Sequence, residues 1–218
     1  MSLIRSALAV MAVPAFLLMG AGTAAASLTP CEHAGMEAER TFGLPNGLLL
    51  AIGRVESGRL DRATGRIVPW PWAVNLAGAG QLAETKEAAI RVATEALSRG
   101  HRNVDVGCFQ VNLLHHPNAF ATLDEAFDPS ANAHYAARFL ADLKTRFGGW
   151  TAAVESYHSA DPARGIPYGR AVMGKWVEAA NGGAGVQQTS GFGMRIWTPS
   201  APGTAPSVIK IEIRPAGR

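Results

Sequence analysis

Apolar residues recur at helical spacing along most of this chain, and this pattern restricts the possible folds more than any other feature. The clearest case follows Asp128-Pro129, an acceptor and a first-turn proline that together predict a helix start. Its apolar positions, at i, i+3, i+4, i+7 and i+11, are Ala136, Phe139, Leu140, Leu143 and Phe147. Strand-like alternation is nearly absent until residues 208–213. The sequence therefore predicts a mainly α fold.

Five further helices are predicted from caps, breaks and apolar spacing, at about 31–42, 45–56, 85–100, 150–157 and 168–178. Asn46 is the expected cap of the second of these and Thr85 that of the third. Residues 60–80 contain Pro69-Trp70-Pro71-Trp72 and three glycines, a composition that favours turns and extended segments. We expect a short irregular arm of extended or β character there and a short extended piece at 101–109.

The two ends of the chain differ in composition from its centre. Arg5, an apolar run at 7–18 and Ala24-Ala25-Ala26 have the layout of a secretory signal peptide at residues 1–26. The run is shorter than the ~20 residues of a spanning helix, so no stable membrane anchor is expected after cleavage. One domain at 27–180 would then precede a flexible Gly/Pro-rich tail at 181–218, in which 208–213 could dock as an edge strand.

Cys31 and Cys108 are the two cysteines of this chain, which we expect to be exported to an oxidising compartment. Pairing would close a 77-residue loop, worth about 4 kcal/mol in the chain-entropy model. Two separate buried thiols are the alternative. Without a third cysteine or a CxxC pair, no cysteine metal site is expected. The formal charge of +3 comes without a basic run among aromatics, so nucleic acid is not an expected partner.

Glu56 is the candidate catalytic residue that helix spacing indicates. It lies one turn after Ile52 and two turns after Leu49, on the apolar stripe of its helix. Partial desolvation there would raise its pKa, so that the carboxyl keeps a proton near neutral pH and can donate it to a leaving oxygen. The alternative is a solvated glutamate paired with Arg54 or Arg59.

Three motifs in order surround this candidate. They are Val55-Glu56-Ser57-Gly58-Arg59, Asp105-Val106-Gly107-Cys108-Phe109-Gln110-Val111-Asn112 and Ser156-Tyr157-His158-Ser159. Together they resemble the E-S-G, G-L-M-Q-[IV]-N and A-Y-N-A-G segments of the lytic transglycosylase (SLT) family, which has a goose-type lysozyme-like fold. The resemblance covers about residues 31–178, and the middle motif resembles a branch with G-C-[MF]-Q-[IV]-N.

The resemblance implies roles for individual residues. Glu56 would be the catalytic acid/base, and the Tyr157 hydroxyl would hydrogen bond its carboxyl, although Tyr157 is equally readable as a core aromatic. Ser57 would help to hold a sugar or the carboxyl. The implied substrate-binding residues are Ser57, Gly107, Phe109, Gln110, Asn112, Tyr157 and His158.

The sequence also departs from the family pattern. Cys108 and Phe109 replace Leu-Met and keep the apolar character, whereas His158 and Ala160 replace Asn and Gly in the last motif. The connection between Glu56 and the middle motif is longer than usual because it contains the arm and one extra helix. Trp70 and Trp72 in that arm could stack on sugar rings or pack over the catalytic helix, and both alternatives stay open.

By resemblance, the protein would cleave peptidoglycan glycan strands in the periplasm without a metal or organic cofactor. Glu56 would protonate the glycosidic oxygen after N-acetylmuramic acid and then deprotonate its C6 hydroxyl, leaving a 1,6-anhydro end. Most glycosidases that hydrolyse their substrate use two carboxylates. Asp61, Asp105 and Glu155 are not supported as a second catalytic carboxylate in the way that Glu56 is as the first. The alternatives are a hydrolytic muramidase and a non-catalytic wall-binding or assembly module. The tail could recruit secretion or flagellar machinery.

Overall fold

A computed structural model describes residues 27–182 of the chain, without the side chains of 179–182. The expected signal peptide and the alternating segment at 208–213 lie outside the described residues, as does nearly all of the expected tail. Within the described part, no helix combines the length and apolar character needed to cross a bilayer.

Helices dominate the described residues, so the predicted mainly α class is confirmed. The helices are α1 (Pro30–Phe42), α2 (Leu48–Glu56), α3 (Lys86–Ser98), α4 (Leu123–Ala126), α5 (Pro129–Phe147), α6 (Trp150–His158) and α7 (Pro162–Gly182). The strands are β1 (Gly58–Leu60), β2 (Ile67–Pro69), β3 (Ala73–Leu76), β4 (Ala79–Leu82), β5 (Val104–Val106) and β6 (Val111–Asn112).

Local capping explains where most of the helices begin. The predicted caps Thr85 and Asp128 are confirmed, since each side chain accepts a hydrogen bond from a backbone amide three residues later. Thr29 and Glu32 form a capping box at the start of α1, which ends at Gly43 in the left-handed conformation.

The predicted cap of α2 is wrong, because Asn46 does not cap this helix. The helix begins after Gly47, which has no side chain to offer its free amides. The buried carboxylate of Glu39 on α1 takes that place, accepting from the amides of Gly47 (2.7 Å), Leu49 (2.7 Å) and Leu50 (3.3 Å). A side chain eight residues upstream therefore caps this helix.

Two apolar clusters form the core. The larger one joins α1, α2, α5, α6 and α7, and the smaller one joins α3 and α4 to the sheet. Cys31 and Cys108 are buried in the larger cluster and form a disulfide with a Cα–Cα distance of 5.8 Å, which confirms the predicted pairing. The bond ties α1 to the loop between β5 and β6, which borders the site described below.

The expected short extended/β arm at 60–80 is confirmed, but its strands are paired regularly and it is not irregular. It forms the antiparallel pair β1–β2 and the hairpin β3–β4, and β3 continues into a sheet of order β4-β3-β5-β6. In this sheet Asp105 pairs with Asn75 on one side and with Asn112 on the other. The sheet thus brings three polar side chains of distant sequence position into one row.

Two helices also differ from prediction. The last helix starts at Pro162 instead of Tyr168, passes through Pro167 and extends to Gly182. The short helix α4, capped by Thr122, was not predicted. Pro167 is the sixth residue of the last helix and lies in its second turn, where it removes one backbone hydrogen bond, that to the carbonyl of residue 163.

The capping role of Glu39 gives a stability prediction. Glu39→Ala leaves three amides at a buried helix end without their acceptor, so we expect a loss of about 3 kcal/mol in the free energy of unfolding. Glu37→Ala, two residues earlier on the exposed side of α1, is the matched control and should cost less than about 0.5 kcal/mol. Urea denaturation with the disulfide intact measures both, and equal losses would contradict the assigned cap.

Candidate active site

A cleft of about 730 Å³ separates the sheet from the helical core. The sheet contributes residues of β3, β5 and β6, and the helical side contributes α2, α5, α6 and the start of α7. The lining includes Glu56, Asn75, Asn103, Asp105, Gln110, Asn112, His115, His116, Tyr135, Phe139, Tyr157, His158 and Arg164. One wall is therefore polar and acidic, and the opposite wall is largely aromatic.

Glu56 is the last residue of α2, the helix at the centre of the core. Protein atoms surround its carboxyl on nearly all sides, yet the side chain keeps some solvent access through the cleft. Burial raises its pKa from 4.5 to about 7; the negative charge of Asp105 adds to the rise, and the Tyr168 hydroxyl opposes it. Near neutral pH about half of the molecules therefore carry a protonated Glu56.

The ion-paired alternative for Glu56 does not form in the described part of the chain. Arg54 lies 3.6 Å from Glu32, which also pairs with Arg66. Arg59 pairs with Glu84 at 3.2 Å. Both candidate partners thus turn to other carboxylates, and Glu56 stays without a cation that would lower its pKa.

Tyr157 and Tyr168 both lie near Glu56, but it is Tyr168 on α7 that contacts its carboxyl. The Tyr157 hydroxyl donates to the backbone carbonyl of Phe109 (2.8 Å), which corrects the expected bond to the carboxyl. The Tyr168 hydroxyl is buried and has no hydrogen-bond partner of normal geometry within residues 27–182. It nevertheless lies close enough to Glu56 to stabilise the charged carboxylate.

Sequence reasoning missed Tyr168 because the resemblance pointed to Tyr157. The available signal was helical spacing, since Tyr168 lies one turn before the buried Val172 and two turns before Trp176. That spacing places Tyr168 on the inward face of α7 but does not say which side chain it meets.

Ser57 does not face the cleft, which corrects its expected role. It is 3% exposed, and its hydroxyl donates to the carbonyl of Cys108 (2.6 Å) and accepts from the amide of Trp70 (3.0 Å). These bonds link the end of α2 to the disulfide loop and to the segment after β2. Ser57 therefore fixes the frame around Glu56.

Gly107 and Phe109 also belong to the frame and not to the substrate surface. Phe109 is fully buried, and its amide donates to the side-chain oxygen of Asn132 (2.9 Å). Gly107 has φ +82°, and a Cβ there would lie 2.4 Å from the Asn132 amide nitrogen. The glycine is needed because Asn132 approaches the backbone, and not because a glycan does.

Gln110 and Asn112 do line the cleft, but hydrogen bonds within the protein use much of their capacity. The Gln110 amide donates to the carbonyls of Ala73 (3.1 Å) and Gly107 (3.0 Å), which leaves its oxygen to accept from a ligand. The Asn112 amide donates to Asn103 and Asp105, both at 2.6 Å. Asn112 therefore mainly holds the polar wall in place.

Asp105 is a second carboxyl in the cleft, and its position in the sequence did not identify it as a catalytic candidate. The side-chain amide of Asn112 donates to it at 2.6 Å. Asp105 also lines the same cavity as Glu56, and burial raises its pKa. The other two carboxyls considered lie elsewhere: Asp61 caps its own exposed loop, and Glu155 packs against Gly169 of α7.

The aromatic wall consists of His116, Tyr135, Phe139 and Tyr157. The Tyr135 hydroxyl and His116 Nδ1 are hydrogen bonded at 2.9 Å, and the His116 ring packs edge-on against Phe139 (4.6 Å between centroids). Phe139 in turn contacts Tyr157. Flat apolar faces of this kind suit the carbon faces of sugar rings.

Trp70 and Trp72 do not belong to the lining of the cleft. The Arg59 guanidinium lies 3.9 Å from the centre of the Trp70 ring, and the indole N–H donates to the carbonyl of Ala83 (2.7 Å). Trp72 meets the Trp70 ring at an edge and packs on the smaller core cluster. Both rings therefore pack on the protein, but against Arg59, Ala83 and the smaller core cluster, where packing over the catalytic helix was the expected alternative to sugar stacking.

Residues 27–182 offer no group of three or more His, Cys, Asp or Glu side chains arranged to hold a metal ion. Asp105, His115 and His158 line the cleft, but they are not arranged so that all three could bind the same metal ion. The chemistry that the described side chains offer is proton transfer from Glu56 and hydrogen bonding along the polar wall.

Comparison with known families gives one match. The family model described as the transglycosylase SLT domain matches residues 34–165. No curated protein and no solved structure matches the chain. The matched region contains Glu56, the segment Gly107–Asn112 and the pair Tyr157-His158, and it ends three residues before Tyr168.

The raised pKa of Glu56 predicts a pH-dependent stability difference. A carboxyl whose pKa rises from 4.5 to about 7 on folding destabilises the folded state increasingly as pH rises between those values. Glu56→Gln should therefore match the wild type near pH 4 and exceed it by about 3 kcal/mol at pH 8. Urea denaturation across this range tests it, with exposed Glu37→Gln as control. A difference that does not change with pH would contradict the assigned shift.

Proposed function

The chain belongs to the transglycosylase SLT domain family, and from this premise we propose that it is a peptidoglycan lytic transglycosylase whose single acid/base is Glu56. The family itself supports action on peptidoglycan. The finer assignment of the reaction and of Glu56 depends on one observation, namely a buried carboxyl with a pKa of about 7 that opens into the cleft.

The first step uses the protonated form of Glu56. The carboxyl donates its proton to the glycosidic oxygen that joins N-acetylmuramic acid to the next sugar, and the bond from C1 to that oxygen breaks. The acetamido group of the muramic acid stabilises the cationic C1. A carboxyl with a pKa near the working pH is suited to this donation, because it holds the proton without binding it too strongly.

The second step uses the carboxylate that remains. Glu56 takes the proton of the muramic C6 hydroxyl while the oxygen bonds to C1, which gives a 1,6-anhydro end and restores the protonated Glu56. Tyr168 favours this charged intermediate form, since its hydroxyl stabilises the carboxylate. Each step is a proton transfer, so the proposed reaction requires neither a metal nor an organic cofactor.

Asp105 supports a second candidate, a hydrolytic muramidase. A second carboxylate in the cleft could orient and deprotonate a water molecule for attack on C1, as in glycosidases that use two carboxylates. Anhydro formation stays the first choice, because Asn112 donates to one oxygen of Asp105, and a hydrogen bond to a carboxylate makes it a weaker base.

The setting of the enzyme is also a proposal. Residues 1–26 would be a signal peptide, and cleavage would leave a periplasmic protein of one domain followed by the tail at 181–218. The disulfide between Cys31 and Cys108 supports an oxidising compartment. The tail is where an envelope-spanning secretion or flagellar partner would bind.

Digestion of purified sacculi tests the reaction. We expect the wild type to release muropeptides with anhydro ends, which are lighter by one water than the reducing ends of hydrolysis. Glu56→Gln cannot donate a proton and should lower the rate at least 1000-fold, which is about 4 kcal/mol of transition-state stabilisation. Mass spectrometry of the released fragments measures both.

Glu37→Gln, a change of an exposed carboxyl on α1 outside the cleft lining, is the matched control and should retain activity. Reducing ends that disappear in Asp105→Asn would establish the hydrolytic candidate instead. Release of glycan fragments by Glu56→Gln at near the wild-type rate would overturn the proposed acid/base.

A further inference from the structure

His158 stands where the family pattern has an asparagine, and its ring lies flat against the ring of Tyr168. The two centroids are 4.7 Å apart and the planes differ by 12°. His158 lines the cleft, whereas Tyr168 does not and is 9% exposed. The imidazole therefore lies between the phenol ring and the cleft.

Close packing of α6 and α7 creates this stack. A Cβ on Gly165 would lie 2.8 Å from the carbonyl oxygen of Glu155, and a Cβ on Gly169 would lie 2.7 Å from the Glu155 side chain. The two glycines are one turn apart on α7 and bracket Tyr168, so they let this turn of α7 approach the end of α6. The hydroxyl of Tyr168 then comes close to Glu56.

We propose that His158 is a positioning residue that acts on Glu56 through Tyr168: its ring covers the phenol and holds the hydroxyl toward the catalytic carboxyl. This inference rests on the proposed function of Glu56. It replaces the expectation that His158 acts mainly by contacting substrate.

Three observations favour the stack over a role as a charged or hydrogen-bonding group. The contact is a parallel one between the two ring faces. Burial and the positive charge of Arg164 lower the pKa of His158, and the negative charge of Asp105 offsets part of this effect. The imidazole is therefore mostly neutral at pH 7. The hydroxyl it would orient has no competing partner of normal geometry within residues 27–182.

An aromatic ring and an amide at position 158 would interact with Tyr168 in different ways. Phenylalanine at position 158 keeps a flat face over Tyr168, whereas asparagine offers hydrogen bonds without that face. If the ring is what matters, His158→Phe retains the turnover rate and His158→Asn loses it, even though asparagine is the family residue at this position.

Steady-state kinetics on isolated glycan strands test this. We expect His158→Asn to lower kcat about tenfold with KM unchanged, and His158→Phe to stay within about twofold of wild type. In a Tyr168→Phe background, His158→Asn should have less than about a twofold further effect, because its route to Glu56 is already lost. His101→Asn, an exposed histidine outside the cleft lining, is the matched control.

The same variants test the stack without any activity. The chain has three tyrosines, so ring ¹³C-labelled tyrosine gives few signals, and Tyr168→Phe assigns the relevant one. Its ring-current shift should persist in His158→Phe and disappear in His158→Asn. Thermal unfolding identifies any variant that fails to fold.

Three results would overturn the inference: an unchanged Tyr168 signal in His158→Asn, a loss of kcat in His158→Phe as large as in His158→Asn, or a raised KM as the main effect of His158→Asn. The last would identify His158 as a substrate contact. Failure of the proposed function looks different, since the wild type would then release no glycan fragments while the tyrosine signals still report on the stack.

Discussion

The site depends on one constraint, the burial of α2 in the centre of the larger core cluster. A buried helix must have its end groups satisfied by other parts of the chain, because water does not reach them. At its start, the Glu39 carboxylate accepts from three amides. At its end, Ser57 bonds to the disulfide loop, and Glu56 emerges at the cleft. The geometry that stabilises the helix also places the carboxyl.

Glu39 and Glu56 illustrate how hydrogen bonding decides the use of a buried carboxyl. Burial raises the pKa of both. Glu39 is surrounded by backbone donors that favour its charged form, and these fix it as a structural acceptor. For Glu56, the Tyr168 hydroxyl favours the charged form, whereas the negative charge of Asp105 disfavours it. Of the two, Glu56 is the one free to exchange its proton with a ligand.

Local patterns in the sequence predicted most of the helical frame. Thr85 and Asp128 each cap a helix through an amide three residues later, and the apolar spacing from Ala136 to Phe147 repeats over about three turns, so neither signal depends on the rest of the fold. For the strands of two to four residues, the sequence predicted only extended segments at 60–80 and 101–109 and not their pairing, because such short strands carry no measurable alternation. Glu39 and Tyr168 were missed for another reason: each looks like an ordinary helical residue, and its partner lies on a different helix. Motif similarity located Glu56 but assigned Ser57, Gly107 and Phe109 to substrate, whereas they build the frame behind it.

The central claim is that folding makes Glu56 a carboxyl that is half protonated near neutral pH. Titration of a sample with ¹³C-labelled glutamate carboxyls, in which Glu56→Gln assigns the signal, measures this directly by NMR. The account predicts a midpoint at about pH 7 for Glu56. A midpoint near 4.5, the ordinary value for a glutamate in water, would show that the cleft does not shield the carboxyl and would contradict the account.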